Sequence, residues 1–450
     1  MNALLRPLHK TRNAFRTAAG LMIALLMGCT ALPESTESRS GELLIVYSGN
    51  VFGELKPCGC DLEEDQGGIE RRMSYLKQVL LREPNTLLVD LGDNFKESTR
   101  QGKLKARTLM QALAKMRYDA VTLGDKDLLY GNRFLSGIQN IPWVAANLQL
   151  EGLTLPAFRT KVLDNGLRVF ITAVADPDLF YTSSDSNVSL SDPRAALQAQ
   201  LAKARHSETP DLVVVLTHMT REKGLTFLDV PGVDVVINGH IEKDGDVIDM
   251  VPVNREGKIF VQPGPLGQKM GELRVRIHKD GGKTYQQKMV RLGSKAPMDP
   301  EMTQLYDAYN AEVEELFMAT LAAKRKKKHN RVFATEQTCL TCHAQEHAVW
   351  SQSGHGRAYQ ALQEVNKSFD PECLVCHTTG FGQPGGFISE IDTPELKNVQ
   401  CEMCHGTRLA HSQNPQGGFA KEANAACGRC HVKKHSPKFN FSRYWPRIRH

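Results

Sequence analysis

The strongest constraint on how this chain folds is a pentapeptide, Cys-X-X-Cys-His, that occurs four times in its last quarter. The copies are Cys339-Leu-Thr-Cys342-His343, Cys373-Leu-Val-Cys376-His377, Cys401-Glu-Met-Cys404-His405 and Cys427-Gly-Arg-Cys430-His431. Two cysteines at this spacing can add across the two vinyl groups of a haem, and the histidine that follows then lies under the iron as axial ligand. The competing reading is zinc, because Cys-X-X-Cys is also half of many zinc sites. Four copies, each completed by histidine and with no odd cysteine in the region, favour four covalently held haem c groups. Around the motifs apolar periodicity fades and Gly, Pro, His and Cys dominate, as expected where porphyrin replaces side chains as the core.

The N-terminus carries a different signal. Arg6, Lys10, Arg12 and Arg16 precede a short apolar run at residues 18–27, too short to span a bilayer comfortably, which reads as a secretory leader. Its end, Leu26-Met27-Gly28-Cys29, resembles the lipobox of bacterial lipoproteins, in which the cysteine is acylated and becomes the mature N-terminus. The expectation is a leader at 1–28, a polar tether at 29–41, and a lipid anchor on Cys29 that holds the protein on a periplasmic or outer-membrane surface of a Gram-negative-type cell. No other segment is apolar enough to span a membrane as a helix. Of eleven cysteines, Cys29 and the eight motif cysteines leave Cys58 and Cys60 to be explained. Residues 324–450 carry 18 Lys/Arg against 10 Asp/Glu, but haem propionates offset such an excess, so no nucleic-acid partner is inferred.

Between residues 42 and 295 short apolar runs alternate with helical stretches. Strands are expected at 42–48, 86–91, 120–123, 143–146, 168–175, 211–217, 233–238, 258–262 and 272–278, and helices at 68–82, 103–117 and 193–204. Runs such as Leu212-Val-Val-Val-Leu216 are apolar throughout, as strands buried on both faces require. The predicted architecture is an α/β sandwich at 42–295, a linker helix at 296–332, and a mostly helical and irregular multihaem domain at 333–450.

Within that last domain, Trp350-Ser-Gln-Ser-Gly-His355, Val399-Gln-Cys-Glu-Met-Cys-His-Gly406 with His411 downstream, and Tyr444-Trp445 followed by His450 resemble the c-554-type tetrahaem cytochromes. The resemblance implies distal axial roles for His355 and His411, with His450 a third. His347 and His435 are placed either as ligands of a neighbouring haem or as surface residues. Bis-histidine ligation favours low potential, so the segment is expected to conduct electrons to outside redox partners, other cytochromes or quinol-linked donors.

The landmarks from 42 to 278 resemble calcineurin-like metallophosphoesterases of the 5'-nucleotidase branch, whose strand-end carboxylates and imidazoles gather two metals that activate hydroxide and clamp phosphate. Gly67-Gly68-Ile-Glu-Arg71-Arg72 and Gly92-Asp93-Asn94 match that pattern. The first element departs from it, since Gly49-Asn50-Val51-Phe52 has Asn and Phe where the family has Asp and His. In Gly124-Asp125-Lys126-Asp127 a lysine replaces the expected histidine, and Gly239-His240-Ile-Glu242 keeps only the first of two. The resemblance therefore implies one divalent metal held by Asp93, Asp125, His218 and His240, with Asp93 and at most Asn50 or Glu242 left for a second. The competing reading is a metal-free scaffold.

Nucleotidases of this branch follow the metal domain with a nucleoside-recognising one, whereas here helix and haem motifs follow, which disfavours nucleotide hydrolysis. Pro57-Cys58-Gly59-Cys60 stands after the first strand, beside the metal site by family position. Cys-X-Cys can close a small strained disulfide, the readily reduced kind, and Lys56 would favour a thiolate. Cys58 and Cys60 are accordingly candidates for a redox pair, against an inert disulfide or metal-binding pair. The leading expectation is an exported multihaem cytochrome exchanging electrons with this thiol pocket. The alternative is a metal-dependent phosphoesterase fused to an electron-transfer cytochrome.

Overall fold

The computed structural model describes residues 39–57, 65–180, 187–207, 209–241, 250–325, 330–415, 424–432, 435–436 and 438–450. Cys29, Cys58, Cys60 and Glu242 lie outside the described residues, as does the expected leader.

Thirteen strands form among the described residues: β1 (Gly41–Ser48), β2 (Thr86–Asp90), β3 (Ala120–Val121), β4 (Leu148–Leu150), β5 (Phe158–Val162), β6 (Arg168–Ala175), β7 (Val188–Leu190), β8 (Leu212–His218), β9 (Val235–Asn238), β10 (Val253–Arg255), β11 (Lys258–Val261), β12 (Lys269–Ile277) and β13 (Lys283–Arg291). They make a five-stranded sheet ordered β13-β12-β1-β2-β3, a six-stranded sheet ordered β10-β11-β9-β8-β6-β5, and a small β4-β7 pair. Helices of this region are α1 (Ile69–Arg82), α2 (Arg100–Met116), α3 (Asn132–Ser136), α4 (Pro193–Ser207), α5 (Arg221–Leu225) and α6 (Pro300–Arg325).

Strand β1 shows how the sequence produces the layers. Successive side chains point to opposite faces. Leu43, Ile45 and Tyr47 enter the core between the two sheets with Val169, Ile171, Leu216 and Ile237. Leu44 and Val46 face the other way, onto α1, α2 and α6. The six-stranded sheet repeats the arrangement, with Phe170, Val213, Val215 and Val236 packed outward on Leu197 and Leu201 of α4. The result is a sandwich of two sheets with helices outside each. The central strands β1-β2-β3 and β6-β8-β9 are parallel, so their carboxyl ends open on one edge, where ligand sites of such sheets form.

One expectation needs correction. Residues 143–146 form no strand; Trp143 makes only an isolated bridge to Val121. Strands β5 and β13 escaped the sequence reading because Phe-Arg-Thr-Lys-Val and Lys-Thr-Tyr-Gln-Gln-Lys-Met-Val-Arg carry alternating polar residues, as sheet-edge strands do. The helix expected at 296–332 forms as α6 and packs on the sandwich. Met302, Tyr309, Val313 and Leu321 of α6 are buried in the same core as α1 and α2, and Lys115 Nζ reaches Glu301 at 2.7 Å.

That core runs on through Phe333, Tyr359, Leu374 and Phe387 into the C-terminal region. Its helices are short: α7 (Glu336–Leu340), α8 (Ala344–Gln352), α9 (Ala358–Glu364), α10 (Pro371–His377), α11 (Cys401–His405), α12 (Leu409–Gln413), α13 (Asn424–Cys427) and α14 (Phe441–Tyr444). The α2 face holds the second haem motif directly. Buried Gln101 donates from Nε2 to Asp370 Oδ1 at 2.8 Å and to Tyr309 Oη at 3.1 Å, and Lys105 Nζ meets Glu372 at 2.5 Å. Asp370 in turn caps α10 by accepting from Glu372 N at 3.1 Å. Among the described residues, no helix is long and apolar enough to cross a membrane.

Candidate metal centre and haem-attachment region

Each sequence-predicted ligand of the α/β domain stands at the carboxyl end of a parallel strand: Asp93 after β2, Asp125 after β3, His218 as the last residue of β8, and His240 after β9. The fold brings all four together, with one ligand atom from each lying within 4.8 Å of the others. His218 Nε2 is 2.9 Å from Asp125 Oδ1 and 3.8 Å from Asp93 Oδ1. His240 Nδ1 stands 3.7 Å from Asp125 Oδ1, and the two imidazoles meet edge to face at 5.0 Å between ring centres. Asp93 and His218 are fully buried, while Asp125 and His240 lie at the mouth, 21% and 11% exposed.

Backbone geometry makes this approach possible. Asp93 adopts φ 55°, and the loop of the first element does likewise at Asn50 (φ 55°) and Phe52 (φ 50°); such left-handed residues cluster where a site is held under strain. Gly124 leaves room for the cluster, because a Cβ there would lie 2.2 Å from Asp93 Oδ1 and 2.7 Å from His218 Cε1. The sequence reading missed Asp127. Its buried carboxylate accepts N–H groups from Asp93 (2.8 Å), Asn94 (2.8 Å) and Gly124 (2.9 Å), fastening the two ligand loops together. The signal available was a carboxylate three residues beyond Gly124, at the capping position of a turn. Burial first, then the charge of Asp93, pushes its carboxyl up to about 7 against those three donors.

The electrostatics suit a cation. Burial opposes ionisation of Asp125, but the His218 hydrogen bond and the charges of His218 and Lys126 prevail and hold its carboxyl well below the usual range. Burial likewise works against protonation of His218, yet Asp93 and Asp125 raise its pKa overall. The Nδ1 atoms of His218 and His240 are buried without a hydrogen-bond partner, as are both amide atoms of Asn50. Buried polar atoms are rarely left so. Two carboxylates and two imidazoles with unsatisfied nitrogen fit a borderline divalent ion. Lys126 Nζ lies 3.2 Å from Asp93 Oδ2 and 3.6 Å from Asp125 Oδ2.

In the C-terminal region the motif cysteines lie on or beside short helical turns, and all eight are free of disulfides. Among the described residues no cysteine joins a group of three or more converging metal-ligand atoms. The histidines pair instead. His343 and His411 have ring centres 6.4 Å apart, His355 and His431 6.0 Å, and His405 and His450 5.8 Å. An imidazole nitrogen about 2 Å from a metal puts two axial rings roughly 6 Å apart. His377 belongs to none of these ring pairs; its Nδ1 is 2.6 Å from Ala358 O, which turns Nε2 to the other side of the ring. His347 is engaged elsewhere, 2.5 Å from Glu336 and packed against Trp350. Glu402 braces the third motif, accepting from Ala334 N at 2.7 Å and Arg408 N at 2.6 Å.

A cavity of about 1280 Å³ opens between the two regions. Cys373, Cys376, His377, Cys430, His431 and His435 line it from the haem side, and Lys56, Pro57, Arg71 and Lys105 from the α/β side.

Comparison with known proteins separates the same two regions. The family described as "Cytochrome c554 and c-prime" matches residues 338–406. Cytochrome c-554 of Nitrosomonas europaea is 30% identical over 121 residues, covering 24% of this chain and 50% of that protein. The 5'-nucleotidase of Homo sapiens is 24% identical over 331 residues, covering 64% and 55%. The chain thus spans about half the length of these curated relatives. The 5'-nucleotidase precursor of Thermus thermophilus superposes with a TM-score of 0.53 at 21% identity over 61% of this chain and 60% of that one. A putative 5'-nucleotidase from Staphylococcus aureus gives 0.50 at 14% identity, over 83% and 72%. The chain joins a cytochrome c554-type haem segment to a metallophosphoesterase fold of 5'-nucleotidase type, with a partial candidate metal site.

Proposed function

We propose that this protein is an electron-transfer cytochrome whose α/β domain is a metal-dependent phosphoesterase-type module, binding one divalent cation and an anionic ester. The observation that carries the reading is the convergence of Asp93, Asp125, His218 and His240 at one sheet edge. A divalent cation bound there would supply Lewis-acid polarisation of a phosphoryl oxygen and a more acidic water. The protein's own part is to bind and orient. Buried Asp93 and His218 form the floor, Asp125 and His240 the mouth, and Asp127 keeps the two carboxylate loops in register. Sequence similarity to 5'-nucleotidases supports the ester class, whereas the replaced residues at Asn50 and Phe52 argue against a two-metal reaction.

The C-terminal segment carries four haem c groups in this reading, one on each motif. The ring pairs His343–His411, His355–His431 and His405–His450 support axial pairing for three of them. The lipobox-like Cys29 and the leader support export and anchoring at a membrane surface, where redox partners, other cytochromes or quinol-linked donors, exchange electrons with the haems. The test is direct. Purified holo-protein should show four haems per chain by pyridine haemochrome, about one tightly held divalent ion, and metal-dependent hydrolysis of a generic phosphomonoester. Hydrolysis absent across several divalent metals removes the phosphoesterase reading.

One observation favours a second reading. Lys56 and Pro57, which lead directly into Cys58, line the same cavity as Cys373, Cys376 and His377. Oxidation of a Cys58–Cys60 dithiol to its disulfide releases two electrons and two protons, and two haems would accept the electrons singly. Cys58→Ser should then abolish substrate-dependent haem reduction while leaving the haem spectrum intact. Unchanged reduction in that variant discards the thiol relay.

A further inference from the structure

Two of the departures from the two-metal pattern, Phe52 and Lys126, are far apart in sequence but meet in space. The Lys126 ammonium sits 3.2 Å from Asp93 Oδ2 and 3.6 Å from Asp125 Oδ2, and 5.4 Å above the Phe52 ring. Phe52 is in turn fixed to the same loop, its N–H donating to Asp93 O at 3.1 Å. A ring face under an ammonium favours the positive charge, whereas an imidazole ligand in that place would favour a metal. The carboxylate of Asp93 is divided between two neighbours. Oδ1 faces His218 and accepts from Lys126 N at 3.2 Å, while Oδ2 takes the ammonium. In a two-metal site one carboxylate bridges both ions; here its second oxygen already has a cation that belongs to the chain.

We infer that Lys126 replaces the second metal, so that the site binds one divalent cation and grips an oxyanion between that ion and the lysine ammonium. Resting on the metal-site reading above, this specifies how the site recognises its ligand. Charge counting supports it. Asp93 and Asp125 contribute two negative charges that one divalent ion cancels, and the Lys126 ammonium adds a positive charge beside them. The opening also lies on the correct side. Lys126 is 35% exposed and adjoins the partly open Asp125 and His240, whereas Asp93 and His218 are sealed. The ligand class is a small oxyanion or the oxyanion end of an ester. A lysine contributes a point charge with rotatable donors, which tolerates phosphate and similar tetrahedral groups. A lysine that merely paired at the surface would affect neither metal count nor anion affinity.

The test uses full-length holo-protein, with Mn²⁺ counted by electron paramagnetic resonance and elemental analysis, and inorganic phosphate titrated calorimetrically into the Mn²⁺-loaded form. Wild type should bind one Mn²⁺. Lys126→Ala and Lys126→Met should each still bind one and lose about 10-fold or more in phosphate affinity, while Lys126→Arg stays within a few-fold of wild type. A cooperative thermal transition of the sandwich matching that of wild type verifies that each variant is folded. No Mn²⁺ in wild type overturns the underlying metal reading. Two Mn²⁺ in wild type, loss of Mn²⁺ in a folded Lys126→Ala, or unchanged phosphate affinity in both neutral variants overturns the role of Lys126 alone.

Discussion

The two regions of this chain solve the same problem, building an interior, with different materials. In the α/β sandwich, strands such as β1 and β8 alternate buried residues into cores on both faces, and the helices outside close them. In the haem region, α10 and α11 carry one buried residue each, and motif residues such as Cys376, His377, Cys430 and His431 line a cavity. The first region needs only its side chains to be a folded object. The second holds its helices in place through hydrogen bonds such as Trp350 Nε1 to Val399 O at 2.7 Å and through a few apolar residues, Phe333, Tyr359, Leu374 and Phe387, that extend the sandwich's core.

The largest effect that would break this contrast comes from producing the chain where haem cannot be attached. We expect residues 333–450 to lose protection from limited proteolysis completely, while the sandwich keeps a cooperative thermal transition. A native-like, protease-resistant haem region without haem would show that side chains suffice there. Next, Leu216→Ala removes a buried side chain between the two sheets and should cost about 2–5 kcal/mol in denaturant unfolding of the sandwich, with haem absorption unchanged.

A smaller change should reach both regions. Gln101→Ala deprives buried Asp370 and Tyr309 of a shared donor, costing about 1–3 kcal/mol. It should also shift the spectrum or potential of the haem at Cys373–His377, because Asp370 caps the helix carrying that motif. An equal shift in all haems would mean that the effect is not local. The smallest effect concerns the far edge of the sandwich. Hydrogen bonds from Arg274 and Arg276 hold the Glu42 carboxyl below its ordinary pKa. A lowered carboxylate contributes stability above its unfolded pKa and loses it as pH falls through the folded value. Glu42→Gln should therefore flatten the acid limb of the sandwich's stability profile, by less than about 1 kcal/mol because the pair is solvent-accessible. Denaturant titrations across the acidic range read it directly.

The central strands were legible because burial on both faces writes continuous apolar runs. Edge strands β5 and β13 were not, since one polar face breaks the pattern. The four candidate metal residues could be named from family motifs, but their convergence was not derivable from spacing; Asp93 and His240 are separated by most of the domain. Lys126 reads from sequence only as a lost histidine. Its contact with Asp93 and Phe52, like the role of Asp127 as a clamp, exists only once β2 and β3 lie side by side.

By itself, then, the sequence determined local chemistry: thioether-forming spacing, apolar alternation, and residue types able to ligate. Tertiary structure decided which of these groups face one another: His355 with His431, His450 with His405, and an ammonium at the strand ends beside the candidate metal ligands. The physical reason is range. Covalent spacing and side-chain periodicity act over a few residues, whereas ligand cages and axial pairs are made between segments brought together only when the sheets and helices pack.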